Sequence, residues 1–566
     1  MGKWTSVLGL LARELDGPGI HCTAGVHGPA EELSRRKLLG LARSAGDMFR
    51  QFGVEPGDRI VTLLPTGRAL LQTLLGSWVA RAAICIVAPS IEAGRSSLAL
   101  DRLSAMLHVA SPKVIVVMPD DHEILRSIAL SIGARLLVSE DLPDEAEPSF
   151  HPENAADEIA FVQFTSGSTG LPKAIAIEHG QVTENIASIA RRMDYDSTDT
   201  LISWMPIHHD FGLVWGLLLP IQLGVRLVLI PTDAFVRNPT VWLASIDKWR
   251  GTITAAPPYA TGILAKPIFV RRLAHIDLSC LKSILLGAEP ISAAGVQEFE
   301  ETYASHGLRP GIVCPAYGMA EATLGISARE PYGPRRIAWI EKQAFHLDGI
   351  AKLVPARSAE SMSLLSNGPP LDCFRVRVVN DEGVDNPEGV QGRILVSGPT
   401  LARRNLRSDE SPASDGWFET GDLGFLLEGE IYISGRSKDI LIRGGANVHA
   451  HEVEETVLGS FPDLILRSVA FALPRASDLR DEIVVGVELI SMPAPEGLEA
   501  AVREAIERNL ALQIDIVVPL PKGAVPRTTS GKIQRGRSRE LYRAGRLGAK
   551  TRGGVIEGDD QVRDGN

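Results

Sequence analysis

The sequence predicts an α/β protein with one large body and a smaller, separate C-terminal domain. Short apolar runs alternate with helical patterns through much of the chain, as in "DRIVTLLP", "AICIVAP", "KVIVVMP" and "KSILLGAEP", and this alternation is typical of parallel sheets covered by helices. From about Gly368 the pattern changes to short β-rich pieces such as "FRVRVVNDEG" and "GEIYISG". With 566 residues the chain exceeds one ordinary core, so two or more domains are expected.

The composition is that of a globular protein. Hydrophobic residues make up 45% and charged residues 22% of the chain, and the formal net charge of -11 argues against a general nucleic-acid or anionic-membrane partner. The five cysteines lack C-x-x-C spacing, which argues against a zinc site or disulfide framework and predicts a reducing, cytoplasmic location. No uncharged apolar run reaches the roughly 18 residues of a membrane span, so none is predicted.

The stretch "FVQFTSGSTGLPKAIAIEHG", residues 161–180, predicts a loop between two buried strands. The strands are expected at 159–164 and 174–177. Within the loop, glycine backbone N–H groups can converge on an anion, hydroxyls add donors and a lysine adds positive charge. These residues are Thr165, Ser166, Gly167, Ser168, Thr169, Gly170 and Lys173. The set suits a polyphosphate, although its spacing does not match the common P-loop.

Five motifs occur in a fixed order along the chain: "TSGSTGLPK", "AYGMAEATL", "WFETGDLG", "GRSKDILIRGG" and "RTTSGKIQR". Their order and spacing resemble the core motifs of adenylate-forming enzymes, and "SWMPIHHDFGLVWGLLLPI" with "YGMAEATLGIS" is similar to the fatty acyl-AMP ligase branch. The resemblance implies a large N-terminal domain of two helix-flanked β-sheets plus a small β-barrel-like subdomain. It also implies a small mobile α+β C-terminal domain.

The resemblance assigns residues to the reaction with ATP and Mg²⁺. A carboxylic acid is already ionised at neutral pH, so the enzyme must supply only position and positive charge. Lys532 resembles the lysine that supplies this charge, and Arg436 the second ribose or phosphate contact. Glu321 resembles the magnesium ligand, and Thr169 the hydroxyl that supports the same ion.

Further residues are expected to line the nucleotide. Tyr317 and Gly318, with their neighbours Ala316 and Met319, match the segment against the adenine. Ala288, Glu289 and Pro290 match its other wall. Asp422 is expected to accept hydrogen bonds from both ribose hydroxyls, because a carboxylate is an acceptor only.

The substrate pocket is expected to contain His209, Asp210, Trp215 and Tyr259. His209 matches the residue beside the substrate carboxylate, and His208 stands where this branch often has an aromatic. Asp210 leaves an alternative open, because an aspartate here can pair with the α-amine of an amino acid. Trp215 stands where a small residue is usual, so it either shortens an acyl channel or fills the core; we expect a short or medium acyl chain.

Domain limits follow from the same comparison. The N-terminal domain is expected over 1–434, a hinge over 435–438 with Lys438 as its pivot, and the C-terminal domain over 439–547. Residues 548–566 are polar and glycine-rich and are predicted to be disordered. Residues 331–363 resemble an insertion of fatty acyl-AMP ligases that restrains the small domain; an inconsequential surface loop is the alternative. His449 and His451 in "NVHAHEVEE" have a spacing that a metal site could use, but a helix start accounts for it better.

The sequence therefore predicts an ATP- and Mg²⁺-dependent ligase that activates a carboxylic acid, expected to be a fatty acid, as acyl-AMP. The expected acceptor is an acyl or peptidyl carrier protein in trans, in secondary metabolism. Alternatives are an acyl-CoA synthetase, a stand-alone amino-acid-activating enzyme, or a non-catalytic adenylate-binding protein. The oligomeric state is not predicted.

Overall fold

The computed structural model describes residues 6–13, 15–23, 30–89, 97–144, 146–147, 154–165, 173–406, 416–474, 481–527, 531–548, 551–552 and 555–556. The strands, numbered along the chain, are β1 Ile20–Thr23, β2 Ala30–Leu33, β3 Arg59–Thr62, β4 Ala83–Ile86, β5 Val114–Val117, β6 Arg135–Val138, β7 Ile159–Thr165, β8 Lys173–Glu178, β9 Thr200–Ser203, β10 Arg226–Leu229, β11 Ile253–Ala256, β12 Ser283–Leu286, β13 Val313–Gly318 and β14 Gly325–Ala328. They continue with β15 Ile337–Glu341, β16 Ser361–Leu365, β17 Arg375–Val379, β18 Gly392–Ser397, β19 Arg404–Asn405, β20 Phe418–Leu427, β21 Glu430–Arg436, β22 Ile440–Arg443, β23 Ala446–His449, β24 Ile465–Leu473, β25 Glu482–Leu489, β26 Ile516–Leu520, β27 Thr551–Arg552 and β28 Val555–Ile556.

Most helices lie between the strands of the large body. They are α1 Val7–Arg13, α2 Arg35–Gln51, α3 Arg68–Val79, α4 Ser97–Ala110, α5 His122–Ser131, α6 His179–Met193, α7 Leu219–Leu223, α8 Thr232–Arg237, α9 Thr240–Trp249, α10 Pro258–Leu264, α11 Pro267–Arg272, α12 Ala293–Tyr303, α13 Lys342–Asp348, α14 Ala450–Ser460, α15 Leu498–Leu510 and α16 Arg535–Arg543. A π-helix spans Phe211–Leu218. Short 3-10 turns occur at Pro119–Asp121, Ser139–Asp141, Ala304–His306, Ala320–Ala322 and Ser437–Asp439.

Two large, mainly parallel sheets form the body of the protein. The first has the strand order β14-β13-β12-β11-β9-β10-β1-β2, and the second has the order β19-β8-β7-β4-β3-β5-β6. The central strands β4, β5, β11 and β12 are buried along their whole length, as expected for parallel strands with helices on both faces. The predicted α/β fold with two helix-flanked sheets is confirmed.

The predicted strands on either side of the glycine-rich loop are also confirmed. They are β7 and β8, which pair antiparallel, with Thr165 opposite Lys173. Thr165 and Lys173, which flank the loop in sequence, therefore lie together at one end of that sheet. Of the loop residues, 166–172 fall outside the described part of the chain.

A smaller β region follows the first sheet. Strands β17, β18, β20 and β21 form a four-stranded antiparallel sheet, and β15 pairs with β16 beside it. The segment 337–365, which contains β15, α13 and β16, packs onto this sheet through Phe345, whose ring centroid lies 5.9 Å from that of Phe425. Most of the predicted insertion is thus folded structure with its own apolar contacts.

The C-terminal part has a separate core. Strands β24, β25 and β26 form a three-stranded sheet, and α14 and α15 contribute apolar side chains to the cluster beneath it. Helix α14 begins immediately after His449, whose backbone N–H donates to Glu452 Oε1 at 3.0 Å. The predicted helix start is confirmed, and the described residues contain no cluster of His, Cys, Asp or Glu arranged to hold a metal.

The described residues bear on the expectations for membrane spans, cysteines and the C-terminal tail. Among them, no helix combines the length and the apolar character that crossing a lipid bilayer requires. All five cysteines are free thiols. The proposed disordered tail lies largely outside the described residues, apart from the short β27–β28 pair.

A buried ion pair joins the first sheet to the smaller β region. Arg329, directly after β14, donates from Nη1 to both Glu430 oxygens at 2.7 and 2.9 Å, and both side chains are less than a tenth exposed. Arg336 Nε lies 3.0 Å from the same carboxylate, and the Ser366 hydroxyl donates to it. Donors from three residues therefore surround the buried Glu430 carboxylate, as a buried charge requires.

We expect Arg329→Leu to lower the free energy of unfolding by about 3 kcal/mol, because it leaves the buried Glu430 carboxylate without its main partner. The Arg336 contact keeps the loss near the lower end of the range for broken buried pairs. Urea unfolding followed by tryptophan fluorescence measures the loss. Arg237→Leu is the matched control, since its pair with Asp233 is exposed at 2.8 Å and should contribute less than about 1 kcal/mol. Equal losses in the two variants would contradict the argument.

Candidate active site

The predicted nucleotide segments meet because their strands are neighbours. Strands β12 and β13 pair in parallel, so "GAEP" after β12 and "YGMAE" at the end of β13 emerge at the same edge of the first sheet. Gly318 allows the backbone at Leu324 to pack closely against the end of β13, since a Cβ on Gly318 would lie only 1.9 Å from the Leu324 carbonyl oxygen. Ala288 adopts a φ of +74°, an uncommon conformation for a residue with a side chain.

The carboxylate of Asp422 is held by contacts from two other site residues. It is almost completely buried. The Tyr317 hydroxyl donates to Oδ2 at 2.6 Å, and Arg436 Nε lies 2.9 Å from Oδ1. Burial and then the charge of Asp422 raise the pKa of Tyr317 well above its ordinary value, so the phenol remains a donor. Each carboxylate oxygen retains a further lone pair that can accept from a ribose hydroxyl.

Arg436 faces Asp422 across the β20–β21 pair, because the two residues are Cα partners in the ladder. The charge of Asp422 is the main cause that raises the pKa of Arg436. About half of the guanidinium side chain remains exposed. Arg436 can therefore reach a phosphate or ribose while its Nε holds the carboxylate in place.

Glu321, from the first sheet, and Lys173, from the second, lie close to each other. Glu321 lies in the turn after β13, where its backbone carbonyl accepts from Ala402 N at 2.8 Å. Its carboxylate is largely buried, and its Oε1 lies 3.9 Å from Nζ of Lys173 at the start of β8. A cation and a carboxylate thus lie side by side where the described chain resumes after the glycine-rich segment.

The donor set at Glu321 suits Mg²⁺, which is commonly held by one or two carboxylates together with phosphate oxygens and waters. Glu321 offers such a carboxylate next to the predicted phosphate loop. The partner expected from the sequence, Thr169, lies outside the described residues, as do Ser166, Gly167, Ser168 and Gly170. Within the described part of the chain, Glu321 is therefore the candidate ligand for Mg²⁺.

The "HHD" segment follows β9 and begins the π-helix. The backbone N–H of Leu213 donates to the His209 carbonyl, and that of Phe211 donates to Asp210 Oδ1, both at 2.8 Å. Burial, assisted by the charge of Lys532, lowers the pKa of His209 to about 4, so the imidazole is neutral at pH 7. Burial raises the pKa of Asp210 despite the opposing charge of Lys532. The cap bond and the burial favour a structural role for Asp210 over pairing with an amine.

Lys532 approaches the site from the C-terminal domain. Its charge acts on His209, Asp210 and Glu289, all of which belong to the large body. The preceding Gly531 has a φ of +91°, and a Cβ there would lie 3.1 Å from the Tyr259 ring. The loop that carries Lys532 is therefore packed against α10 in this state.

Trp215 lies in the middle of the π-helix and is fully buried. Its ring packs edge-on to Tyr195 and Phe211, with centroids 6.5 and 6.1 Å apart. Tyr259 is only partly buried and packs edge-on to Trp204 at 6.4 Å. These contacts favour the core-filling interpretation of Trp215, while Tyr259 keeps a surface beside Gly531.

A family model described as "AMP-binding enzyme" matches residues 18–404. The chain belongs to the AMP-binding enzyme family. It is 32% identical over 550 residues to "Putative ligase Rv1013" of Mycobacterium tuberculosis, with 94% of this chain and 97% of the relative covered. It is 30% identical to the medium-chain-fatty-acid–[acyl-carrier-protein] ligase JamA of Moorena producens, with 91% and 90% covered.

A solved structure from a study of fatty acyl-adenylate ligases of E. coli and L. pneumophila superposes with a TM-score of 0.86. The identity is 25%, and the match covers 96% of this chain and 98% of that one. The predicted resemblance to adenylate-forming enzymes of the fatty acyl-AMP ligase branch is confirmed, and the protein is a ligase. The roles of individual site residues in this AMP-binding enzyme remain predictions.

The predicted hinge lies at the boundary between the two cores. β21 continues to Arg436, and Lys438 lies in the 3-10 turn that follows. Partial burial, followed by the charges of Arg436 and Lys173, lowers the pKa of Lys438. Lys438, the pivot expected from the sequence, thus lies near Arg436 and Lys173 of the candidate site.

The sequence analysis missed the residue that positions the Lys532 loop. Arg535 donates to both oxygens of Glu454 at 2.8 and 2.6 Å and to Asp439 Oδ2 at 2.9 Å. It lies in the "GKIQR" motif, so the pattern contained it, but its partners are 81 and 96 residues away. These bonds tie α16 to α14 and to the segment just after Lys438.

We expect Asp422→Asn to raise the KM for ATP by roughly tenfold or more, because it removes the charge that orients Arg436 and one acceptor for the ribose. Pyrophosphate exchange at varied ATP measures the change. Asp372→Asn is the matched control, since Asp372 pairs with Arg191 on the exposed surface. An unchanged KM for ATP in the Asp422 variant would show that this carboxylate does not contact the nucleotide.

Proposed function

We propose that this ligase activates a fatty acid with ATP and Mg²⁺ and transfers the acyl group to the phosphopantetheine thiol of a separate carrier protein. The observation that carries the proposal is the position of Lys532, whose charge reaches the buried His209–Asp210 turn while Asp422 and Arg436 form a ribose-type site nearby. A mobile cation above a nucleotide pocket suits a reaction in which negative charge develops on a phosphate.

In the first step a carboxylate oxygen of the acid attacks the α-phosphorus of ATP. A new P–O bond forms, the bond to the β-phosphate oxygen breaks, and pyrophosphate leaves. Lys532 is proposed to stabilise the charge on the transferring phosphate, and neutral His209 to lie beside the acid without adding charge. Mg²⁺ held by Glu321 would neutralise phosphate charge.

In the second step a thiol attacks the acyl carbonyl. A C–S bond forms, the C–O bond to phosphate breaks, AMP leaves with the electron pair, and the proton of the thiol passes to solvent. The proposed acceptor is a carrier protein, as the name of the JamA relative states for that protein. Lys438 is proposed as the pivot that moves the small domain between the steps.

An apolar acid is favoured by the surroundings of His209. The helix that begins at Asp210 consists of the sequence "FGLVWGLL", all of it buried. Asp210 Oδ1 caps that helix by accepting from the Phe211 backbone N–H, and burial raises the pKa of Asp210, which disfavours the ionised form that would pair with the α-amine of an amino acid. We therefore propose a fatty rather than an amino acid, and the name of the medium-chain JamA relative supports a short or medium chain length.

The insertion supports the choice of a carrier protein over coenzyme A. His346 on α13 lies with Nε2 3.0 Å from Glu452 Oε2 on α14, and Lys342 Nζ donates to the Asn509 carbonyl at 3.4 Å. These bonds link the insertion directly to the C-terminal domain. They hold the small domain in the position seen here, which is the restraint proposed to disfavour coenzyme A.

The function is tested by pyrophosphate release over fatty acids from C4 to C16, aromatic acids and amino acids, each with coenzyme A or a phosphopantetheinyl carrier protein. We expect release with short or medium fatty acids and transfer to the carrier. Lys532→Ala should slow release by on the order of 10²–10³-fold, whereas Lys522→Ala, on the exposed surface of the same domain, should not. Release with amino acids alone, or a preference for C16, would contradict the proposed substrate.

We expect His346→Ala to raise the rate of acyl transfer to coenzyme A several-fold relative to transfer to the carrier, because it removes one bond between the insertion and α14. Lys352→Ala is the matched control: Lys352 pairs with Glu341 at 2.7 Å inside the insertion. Measuring both acceptors with purified acyl-AMP separates this effect from adenylation. An unchanged ratio in the His346 variant would show that this contact does not control the acceptor.

A further inference from the structure

A cluster of basic side chains surrounds α11, on the surface of the large body. Lys266, Arg271, Arg272 and His275 are all exposed, and among the described residues none of them forms an ion pair. The acidic residue that follows, Asp277, is already paired with Arg250 at 2.9 Å. In a chain with a net charge of -11, this surface, which we call the α11 ridge, is a local positive patch.

The ridge also offers apolar surface at its centre. Ile268 is 54% exposed in the first turn of α11. An open cleft of about 460 Å³ lies around the end of the same helix, with Val270 and Ile276 among its apolar residues and Arg271 and His275 among its basic ones. An exposed apolar centre with a charged rim is the usual anatomy of a protein-binding surface.

The α11 ridge is connected to the site by one short helix. α10 begins directly after β11 and carries Tyr259, whose ring packs against Gly531 beside Lys532. Its seven residues rise by about 10 Å at 1.5 Å per residue, and Lys266 follows two residues later. An extended phosphopantetheine arm is longer than this helix, so a carrier bound at the ridge can reach the site.

We propose that the α11 ridge is the docking surface for the carrier protein, and that this partner presents an acidic helix with an apolar side chain. The apolar side chain enters the cleft lined by Val270 and Ile276, and carboxylates face Arg271 and Arg272. Charge complementarity at the rim speeds encounter and fixes orientation. This inference rests on the proposed function, because it concerns the acceptor of the same reaction.

The test uses the full-length enzyme and an acidic phosphopantetheinyl carrier protein, with the KM for the carrier as the readout. We expect the double variant Arg271→Glu/Arg272→Glu to raise this KM tenfold or more and to lose most of the salt dependence of loading. Fatty-acid-dependent pyrophosphate exchange and acyl transfer to free pantetheine should be unchanged. Ile268→Ser should raise the same KM by removing exposed apolar surface without changing the charge of the ridge.

Two further variants supply controls. Arg102→Glu changes an exposed arginine on α4, beside the second sheet, and should have no effect. Arg543→Glu changes an exposed arginine of the C-terminal helix α16. Loading that depends on Arg543 but not on Arg271, Arg272 or Ile268 would overturn the proposal, as would normal loading by the double variant.

The outcome for the unmodified enzyme separates the two proposals. If it forms acyl-AMP and loads the carrier, and the ridge variants load equally well, the docking surface is wrong and the proposed function stands. If it forms acyl-AMP but transfers to coenzyme A alone, the carrier acceptor and the docking surface are both wrong. A selective rise in the KM for the carrier in the ridge variants supports both.

Discussion

The buried carboxylate of Asp422 is the contact on which the arrangement of the site depends. It receives the Tyr317 hydroxyl from the end of the first sheet and Arg436 from the last strand before the hinge. A charge that is almost fully buried has to be paired and hydrogen-bonded. The end of β13, Asp422 and the end of β21 are therefore held in one hydrogen-bonded unit.

A second constraint is the electrostatic balance around His209. Burial keeps this imidazole neutral and disfavours ionisation of Asp210 and Glu289, whereas the charge of Lys532 favours the ionised form of the two carboxyl groups. The loop that carries Lys532 is positioned by Arg535 through Glu454 and Asp439. The charge environment of His209, Asp210 and Glu289 thus depends on where the loop that carries Lys532 lies.

The insertion and the C-terminal domain are coupled by polar contacts of modest strength. His346 meets Glu452, and burial, which would raise the pKa of Glu452, is outweighed by the hydrogen bond and charge of His346, so that the pKa is lowered. The other contact, from Lys342, is a long hydrogen bond to a backbone carbonyl. Contacts of this kind hold one domain orientation without excluding another, which suits the movement proposed for the small domain.

The sequence by itself determined the fold class, the family and the identity of most candidate residues. Strands such as β4 and β12 are apolar runs whose burial follows from local pattern, and the five motifs name Lys173, Glu321, Asp422, Arg436 and Lys532 without reference to space. The alternatives for Asp210 and Trp215 could not be decided in this way, because each depends on neighbours far along the chain.

Tertiary structure alone decided which residues meet. Tyr317 and Asp422 are 105 residues apart, and Arg535 and Asp439 are 96 apart, and neither spacing carries a periodic signal. The capping role of Asp210, the packing of Trp215 against Tyr195 and the α11 ridge likewise arise from how sheets and helices pack. Local pattern follows from the geometry of a single strand or helix, whereas a site forms where separate elements end at a common edge.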